Sequence, residues 1–343
     1  MFRTLFAGAF VASVVIAANF PGLTAQEKKD PPKKKERIAI NDPKDVAKDA
    51  DFALQGEYVG TLQNNADTKK IGVQVVAKGL GEFDVKIHHG GLPGDGWDAK
   101  TVSKATAKRG DDGNATITGK EISGIIAGAK STIRVGNDEC PLTKVERKST
   151  SIGKAAPEGA VVLFGKEGDE KNWEGGKIVE LSDGKFLGMG VTSKEKFQGF
   201  TAHIEFRLPW MPNSTGQGRG NSGVYLQNRY ECQVLDSFGL NGENNECGGI
   251  YTQHKPSVNM CYPPLSWQTY DIEFTPAQFG EDGKKTKNGR ATIYHNGVKI
   301  HDNIEFPKEC PGGQKEAATP GPFQFQNHGD PVVYRNVWVL PTK

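Results

Sequence analysis

The sequence has little net charge of either sign. Its 43 Lys and Arg residues nearly balance 41 Asp and Glu residues, which leaves a formal charge of +2. It also lacks an arginine-rich patch with interleaved aromatic residues. A protein that binds nucleic acid needs such a concentration of positive charge to hold the phosphates. We therefore expect no nucleic acid among the partners of this protein.

Long apolar runs are missing after the first 25 residues, so we expect no transmembrane segment in the mature chain. Within those residues, Arg3 precedes an apolar run over Leu5–Ala18, and Thr24 and Ala25 follow as small residues. This order is typical of a cleaved signal peptide. An uncleaved membrane anchor is the alternative, but the run is short for a hydrocarbon core of about 30 Å. The sequence predicts a signal peptide over 1–25 and export to the periplasm or the extracellular space.

The chain has five cysteines, and none of them has the spacing of a zinc site. An exported chain can form disulfides, although an odd number leaves at least one thiol without a partner in the chain. Cys247 and Cys261 flank one loop-like segment, so they are the predicted disulfide pair. Cys232 falls on the apolar side of a predicted strand, where we expect a buried free thiol.

The abundant residues point to β-structure. The chain has 43 Gly and 19 Pro residues and scarcely any helical periodicity, which is typical of many short strands joined by turns. After residue 158, about ten short apolar or alternating segments favour an antiparallel sandwich or jelly roll. We predict an all-β protein with a charged, disordered linker over 26–49 and a small β-rich module over 50–146. A second linker over 147–158 would lead to the sandwich over 159–343.

The stretch from Gly223 to Asp236 predicts a β-hairpin. A three-residue loop over Asn228–Tyr230 would place Gln227 opposite Glu231 and would separate polar from apolar residues. A two-residue loop would mix the two faces. The predicted polar face carries Tyr225, Gln227, Glu231 and Gln233.

Other predicted strands alternate in the same way. Their polar positions are His203, Glu205, Trp267, Asp271, Glu273, Gln324, Gln326 and His328. A solvated sheet face is the competing interpretation for any one of these residues, but solvated faces tend to carry Lys and Thr. Carboxylate, amide, imidazole and aromatic groups bind sugars and perform acid–base chemistry.

The dipeptide Asn296-Gly297 predicts a two-residue hairpin turn between two further strands. Under this turn, His295 shares a face with Ile293 and Val298. We therefore expect His295 to be a packed structural residue and not a ligand.

The C-terminal region resembles the 3-keto-disaccharide hydrolase family over Gly159–Lys343. The resemblance rests on six short motifs in order, which are His203–Arg207, Gly220–Gln227, Arg229–Ser237, Trp267–Phe274, Tyr294–Gly297 and Gly321–Gly329. It implies a concanavalin-A-like jelly roll with the site on the concave sheet. It also implies activity on glycosides that carry a ketone at C3, so an oligosaccharide or 3-keto-glycoside would be the partner.

The chemistry that the resemblance implies needs a base, an acid and a hydrogen-bond donor for an enolate. A ketone at C3 acidifies the C2 proton, so a base can remove it and the C1 oxygen can leave; water then adds to the enone. Glu231 and Glu205 are the candidate base and acid, His254 is a candidate proton relay, and Arg229 would hold the enolate oxygen. The candidate substrate-binding residues are Tyr225, Gln227, Arg229, Gln233, Asp236, Trp267, Gln326 and His328.

Two other functions stay open at this stage. A non-catalytic, lectin-like carbohydrate-binding module would use the same scaffold. A conventional glucanase would need two or three acidic residues alternating on one strand, whereas this strand offers Glu231, Gln233 and Leu235. The sequence assigns no cofactor, and a bound metal stays open, because a polar loop could coordinate a structural Ca²⁺ through its oxygen atoms. A solvated acidic loop is the simpler interpretation of these residues, which are Asp236, Asn241, Glu243 and Glu246.

Overall fold

The computed structural model describes residues 36–64 and 67–342, which belong to one compact unit. The predicted signal peptide over 1–25 lies outside the described residues. Within these residues, helix is confined to short pieces: α1 (Pro43–Val46), α2 (Ala50–Leu54) and three 3₁₀ turns at Gly128–Lys130, Asp169–Asn172 and Gly216–Gly218. The described part of the chain contains no helix with the length and apolar character needed to cross a bilayer.

The first eight strands close into an antiparallel barrel. Closure follows because β1 pairs with both β2 and β8. The barrel strands are β1 (Gly56–Asn64), β2 (Asp67–Gly79), β3 (Glu82–His89), β4 (Val102–Arg109), β5 (Ala115–Gly119), β6 (Ile122–Ile126), β7 (Thr132–Val135) and β8 (Asp138–Val145). Their alternate residues fill the interior with side chains that include Val73, Val75, Phe83, Val85 and Ile133.

Most of the remaining strands form the two sheets of a sandwich. They are β9 (Val161–Phe164), β10 (Trp173–Glu174), β11 (Ile178–Leu181), β12 (Gly184–Gly188), β13 (Val191–Phe197), β14 (Phe200–Arg207), β15 (Ser222–Leu226), β16 (Tyr230–Val234), β17 (Trp267–Thr275), β18 (Gln278–Phe279), β19 (Lys285–Lys287), β20 (Gly289–His295), β21 (Val298–Phe306), β22 (Gly321–Phe325) and β23 (Val333–Pro341). The five-stranded sheet has the order β10, β13, β22, β15 and β16. The eight-stranded sheet has the order β11, β12, β23, β14, β17, β20 and β21, with β9 paired to β23, whereas β18 and β19 pair with each other.

The main hydrophobic core lies between these sheets. Ile204 and Phe206 of β14 share it with Val224 of β15 and Cys232 of β16. Because side chains alternate along a strand, the residues between them face away from the core. The predicted all-β architecture is confirmed, and so is the prediction that Cys232 is a buried thiol.

The Gly223–Asp236 hairpin has the predicted faces but a different register. Tyr225 pairs with Glu231, and Leu226 pairs with Tyr230, so the three loop residues are 227–229 and not 228–230. The predicted pairing of Gln227 with Glu231 was wrong. The predicted two-residue turn at Asn296-Gly297 is confirmed, because His295 pairs with Val298. His295 is fully buried and contacts Gln268, as expected of a structural residue.

The segment before the barrel is folded from residue 40 onward, which corrects the predicted linker over 26–49 in its last part. Ile40 exchanges two backbone hydrogen bonds with Trp210 of the sandwich. The Asp42 carboxylate caps α1 and also accepts a hydrogen bond from the backbone of Ser182. Trp210 is buried in the barrel core, where its ring meets Phe52 edge-on. The barrel and the sandwich are therefore joined through apolar packing as well as through the chain.

Asp49 offers a test of this junction. Its carboxylate accepts hydrogen bonds from the N–H groups of Asp51 and Phe52 at the start of α2, and from the indole N–H of Trp210 at 2.8 Å. We expect Asp49→Ala to lower the free energy of unfolding by about 2 kcal/mol, because the cap and the indole bond are lost together. Chemical denaturation measures the loss. Asp45→Ala, an exposed change in α1, is the control and is expected to stay within about 0.5 kcal/mol of the parent.

Candidate functional site

A carboxyl and a phenol face each other on the outer side of the five-stranded sheet. The strand pairing sets Tyr225 directly opposite Glu231, and both side chains are buried. The Tyr225 hydroxyl donates to Oε2 of Glu231 at 2.9 Å. The other oxygen, Oε1, has no hydrogen-bond partner among the described residues. Glu231 therefore combines one fixed oxygen with one that has no partner among the described residues.

Gly223 makes room for this carboxyl. A Cβ atom at Gly223 would lie 2.2 Å from Oε1 of Glu231, well inside van der Waals contact. Its strand partner is Gln233, which lies on the same face as Glu231. The missing side chain at Gly223 thus leaves the space that the Glu231 carboxyl occupies.

Two amide side chains lie near the Glu231 carboxyl and the Tyr225 phenol. Nε2 of Gln233 donates to Asn221 and Gln217, each at 3.1 Å. Nε2 of Gln326 points to the Tyr225 hydroxyl at 3.5 Å. The Oε1 atoms of Gln233 and Gln326 are buried without a partner in the described structure. Because buried acceptors without partners are costly, this arrangement suits a ligand that carries several hydroxyl donors.

The electrostatics of the site favour proton transfer near neutral pH. Burial raises the pKa of Glu231 to about 7, although the hydrogen bond from Tyr225 partly opposes the shift. Burial and the nearby Glu231 carboxylate raise the pKa of Tyr225 well above its usual value, so the phenol stays protonated. The Cys310 thiol lies near Glu231, and burial raises the pKa of this thiol to about 11. The titrating group of this cluster is therefore Glu231.

Gln227 and Arg229 stabilise the end of the hairpin, and their side-chain hydrogen bonds within the described structure do not involve Glu231. The Gln227 amide donates to the carbonyls of Phe197 and Gln198. The Arg229 guanidinium donates to Oε1 of Gln227 and to the carbonyl of Thr319. These contacts replace the predicted substrate-binding roles with structural ones, since the hydrogen-bonding groups are already engaged.

Glu205 and Trp267 lie on the other sheet. Both project from the outer face of the eight-stranded sheet, whereas Glu231 projects from the outer face of the five-stranded sheet. The sandwich core separates the two carboxyls, so the predicted pairing of Glu205 as acid with Glu231 as base is corrected. The Trp267 ring packs against the guanidinium groups of Arg207 and Arg335.

Glu205 is a buried carboxylate, and one of its hydrogen-bond donors comes from the segment that connects the barrel to the sandwich. Glu205 accepts hydrogen bonds from the backbone of Gly153 at 2.6 Å, from Arg335 at 2.7 Å and from Asn336 at 2.9 Å. A further contact runs to His203 at 3.4 Å. Burial alone would raise the pKa of Glu205, but these contacts together lower it to about 2.

His203 and Asp271 belong to the same group of contacting polar side chains as Glu205. The His203 ring lies between Glu205 and Asp271, which it meets at 3.0 Å. Burial alone would lower the pKa of His203, but the two carboxylates raise it above its usual value. Asp271 also accepts a hydrogen bond from Lys154 of the connecting segment. The polar face predicted for this sheet therefore holds the 147–158 segment in place.

The remaining candidates are spread over three places. Asp236 forms a buried ion pair with Arg219 at 2.5 Å. The His254 ring contacts the carbonyl of Glu305 on β21 at 2.7 Å, so its predicted relay role at Glu231 is not supported. His328 is exposed in the loop after β22. The structure thus brings together Tyr225, Glu231, Gln233 and Gln326 from the predicted set.

The predicted disulfide is corrected as well. Cys247 and Cys261 are buried free thiols, and the Cys247 sulfur contacts the Tyr270 hydroxyl at 3.2 Å. Asn241 accepts a hydrogen bond from Lys86, and Glu246 accepts two from its own loop, so these oxygens are engaged with the protein. Within residues 36–64 and 67–342, no three His, Cys, Asp or Glu side chains form a group that could hold a metal ion.

Sequence reasoning missed four residues of the site. Gly223 and Asn221 lie in a motif on which the family resemblance rests, but only the three-dimensional contacts show their roles. Cys310 and Pro311 come from the long connection between β21 and β22, which carried no signal in the sequence. The Pro311 carbonyl lies 2.9 Å from the Tyr225 hydroxyl.

A cavity of about 560 Å³ lies elsewhere, between the barrel wall and the loop at Leu240. The Lys86 ammonium reaches across it to the Leu240 carbonyl and the Asn241 side chain, each at 3.0 Å. These contacts join the barrel to the sandwich. Neither Glu231 nor Tyr225 lines this cavity.

Comparisons with known proteins agree with the resemblance seen in the motifs. A family model described as a 3-keto-alpha-glucoside-1,2-lyase-like domain matches residues 159–340, more than half of the chain. A crystal structure from Parabacteroides distasonis ATCC 8503, described as a "putative glycosyl hydrolase", shares 34% identity; the match covers 55% of this chain and 85% of that one, with a TM-score of 0.48. A second structure of that description and organism shares 18% identity over 57% of this chain and 100% of its own, with a TM-score of 0.36. No curated protein matches the chain.

The family match supports an enzyme that acts on glycosides. It covers the sandwich, including the whole of the hairpin that carries Glu231. The chain belongs to the family of 3-keto-alpha-glucoside-1,2-lyase-like domains.

Proposed function

We propose that this protein cleaves 3-keto-glycosides, including 3-keto-disaccharides, between C1 and its oxygen substituent. The observation that carries the proposal is the Glu231 carboxyl, which is buried, fixed through one oxygen and unpaired at the other. Its pKa of about 7 suits a general base, because a base works best when its pKa lies near the operating pH.

In the proposed reaction, Oε1 of Glu231 takes the C2 proton. The electron pair of the C2–H bond moves into an enolate with its negative oxygen at C3. The enolate then collapses, the C1–O bond breaks, and the departing oxygen leaves with the bonding pair and takes up a proton. Water adds to the resulting enone at C1, and C2 regains a proton, so the net result is hydrolysis. Tyr225 keeps the carboxyl oriented throughout.

The amide side chains of Gln233 and Gln326, near Glu231, would bind the sugar. The unpaired Oε1 atoms of Gln233 and Gln326 would accept hydrogen bonds from hydroxyl groups. A neutral lining of this kind suits an uncharged sugar ring better than a phosphorylated one.

The groups around Glu231 do not match a conventional glycosidase. Such enzymes place two carboxyl groups around an oxocarbenium-like centre. The side chains that contact or border Glu231 here are a phenol, a thiol and amides. An elimination route needs one well-placed base and an acidified C–H bond, which the 3-ketone supplies.

A direct test uses p-nitrophenyl 3-keto-glucosides of both anomeric forms, with the corresponding unoxidised glucosides as matched substrates. We expect nitrophenol release from a keto substrate and none from its unoxidised counterpart, because without the ketone the C2 proton is not acidic. In D₂O, the hydrolysis product should carry deuterium at C2. Equal turnover of oxidised and unoxidised substrates would reject the elimination route.

Gly223→Ala tests whether the position of the Glu231 carboxyl matters for turnover. The added methyl group would collide with Oε1 of Glu231 and displace the carboxyl from its position. We expect kcat/KM for the keto substrate to fall by at least about tenfold, since misplacement of a base by a fraction of an ångström is costly. Gly218→Ala is the matched control, because a Cβ there meets no atom within 4 Å. Unchanged kcat/KM in a folded Gly223→Ala variant would count against the assigned base.

A further inference from the structure

The Tyr225 hydroxyl faces two acceptors at the same distance. Oε2 of Glu231 and the carbonyl oxygen of Pro311 each lie 2.9 Å from it. A phenol has one hydrogen to donate, and a carbonyl can only accept. Both contacts can be hydrogen bonds at once only if Glu231 supplies the missing hydrogen. The number of protons in this group of three therefore decides how many hydrogen bonds it makes.

We propose that protonation of Glu231 fastens residues 307–320, here called the strap, over the site through Tyr225 and Pro311. A protonated Glu231 donates to the Tyr225 oxygen, and Tyr225 then donates to the Pro311 carbonyl. An ionised Glu231 takes the Tyr225 hydrogen for itself, which leaves the Pro311 carbonyl without its partner. The inference about the strap stands on this geometry, and its meaning for catalysis rests on the proposed function.

The strap is held at both sides of Pro311. The backbone N–H of Cys310 donates to the Arg229 carbonyl at 2.8 Å, and that of Gln314 donates to the Asn228 carbonyl at 2.7 Å. Between them, Gly312 has a positive φ of 83°, which glycine adopts without strain. The backbone N–H of Gly313 donates to the Cys310 carbonyl at 3.0 Å and closes a turn over Pro311 and Gly312.

The other titratable groups that face Glu231 come from β15 (Tyr225), from β16 itself (Cys232), from the strap (Cys310), from β23 (Tyr334) and from the loop after β16 (Tyr251). Burial raises the pKa of Tyr225, Cys232 and Tyr334, and it raises that of Cys310 to about 11. Glu231, with a pKa of about 7, is thus the group that switches the hydrogen bonds.

The consequence for the reaction follows from where the C2 proton goes. When the C2–H bond breaks, its proton forms an O–H bond on Glu231 and its electron pair enters the enolate. The strap fastens at that moment and stays fastened until Glu231 passes the proton on. A reactive enolate or enone is thereby kept from bulk water, which is the usual benefit of a closing segment.

Hydrogen exchange of the strap amides tests the inference without any substrate. We expect the protection factors of Gly312, Gly313 and Gln314 to be about fivefold to tenfold higher at about pH 5.5 than at about pH 8.5, the effect of one hydrogen bond. In Glu231→Gln, the amide N–H replaces the acid proton, so protection should be high at both pH values. In Tyr225→Phe it should be low at both.

Tyr58→Phe is the matched control, because it removes a phenol that donates to the carbonyl of Leu54 inside the barrel. This variant should keep the pH dependence of the parent. Equal protection of the parent at both pH values, or a Glu231→Gln variant that follows the parent, would overturn the inference. Turnover of 3-keto-glucosides is measured separately. Absent turnover with intact pH-dependent protection rejects the proposed function alone, and the opposite result rejects the strap alone.

Discussion

Glu231→Gln is expected to lower kcat for a 3-keto-glucoside by about a thousandfold, within the range by which general bases accelerate reactions. The amide fills the same space and keeps a hydrogen bond with Tyr225, but it cannot accept the C2 proton. We therefore expect KM to change little. The initial rate of nitrophenol release at saturating substrate gives kcat, and circular dichroism shows whether the fold is retained.

Glu273→Gln is the matched control for this substitution. Glu273 is an exposed carboxyl on β17 of the other sheet, so its replacement should leave kcat unchanged. For the parent enzyme, kcat/KM should fall as the pH drops below about 7, because the base must be ionised in the free enzyme. Full turnover by Glu231→Gln would remove the assigned base. Tight sugar binding by a parent protein without turnover would favour the lectin-like alternative.

The hairpin shows which features the alternation of polar and apolar residues predicts and which it does not. Alternation correctly placed Tyr225, Glu231 and Gln233 on one face, because side chains on a strand alternate whatever the partner strand is. It could not fix the register, since loops over 227–229 and 228–230 separate polar from apolar residues equally well. The turn itself decides: Gln227 and Asn228 adopt positive φ values of 53° and 54°, and Arg229 ties the loop to the strap.

The same patterning could not tell one polar face from another. Glu205 and Glu231 alternate with apolar residues in the same manner, yet they lie on opposite outer faces of the sandwich. What separates them is long-range: residues 149–154 cover one face, and the strap approaches the other. Strand order and loop coverage depend on contacts between distant segments, which local periodicity does not encode. Closure of the barrel by pairing of β1 with β8 was not predicted for the same reason.

Glu205→Gln is expected to lower the free energy of unfolding by about 3 kcal/mol while leaving kcat of the folded protein unchanged. The substitution removes a buried negative charge that faces Arg335 and His203, and breaking such a buried pair from one side is costly. Denaturant titration near neutral pH measures the loss, with exposed Glu273→Gln on the same face as the control. A large loss of kcat in a folded Glu205→Gln variant would restore Glu205 to the chemistry.

The pH dependence of stability identifies the mechanism of this loss. The pKa of Glu205 falls on folding from its usual 4.5 to about 2, so its contribution is complete above about pH 4.5 and disappears between there and about pH 2. Asp271, whose pKa is also lowered, acts in the same direction. His203 acts oppositely: its pKa is raised, so its contribution is complete below 6.5 and is lost as the pH rises through the raised value. The parent should therefore lose stability in acid more steeply than Glu205→Gln, and parallel acid profiles would show that the carboxylate is not what holds the connecting segment.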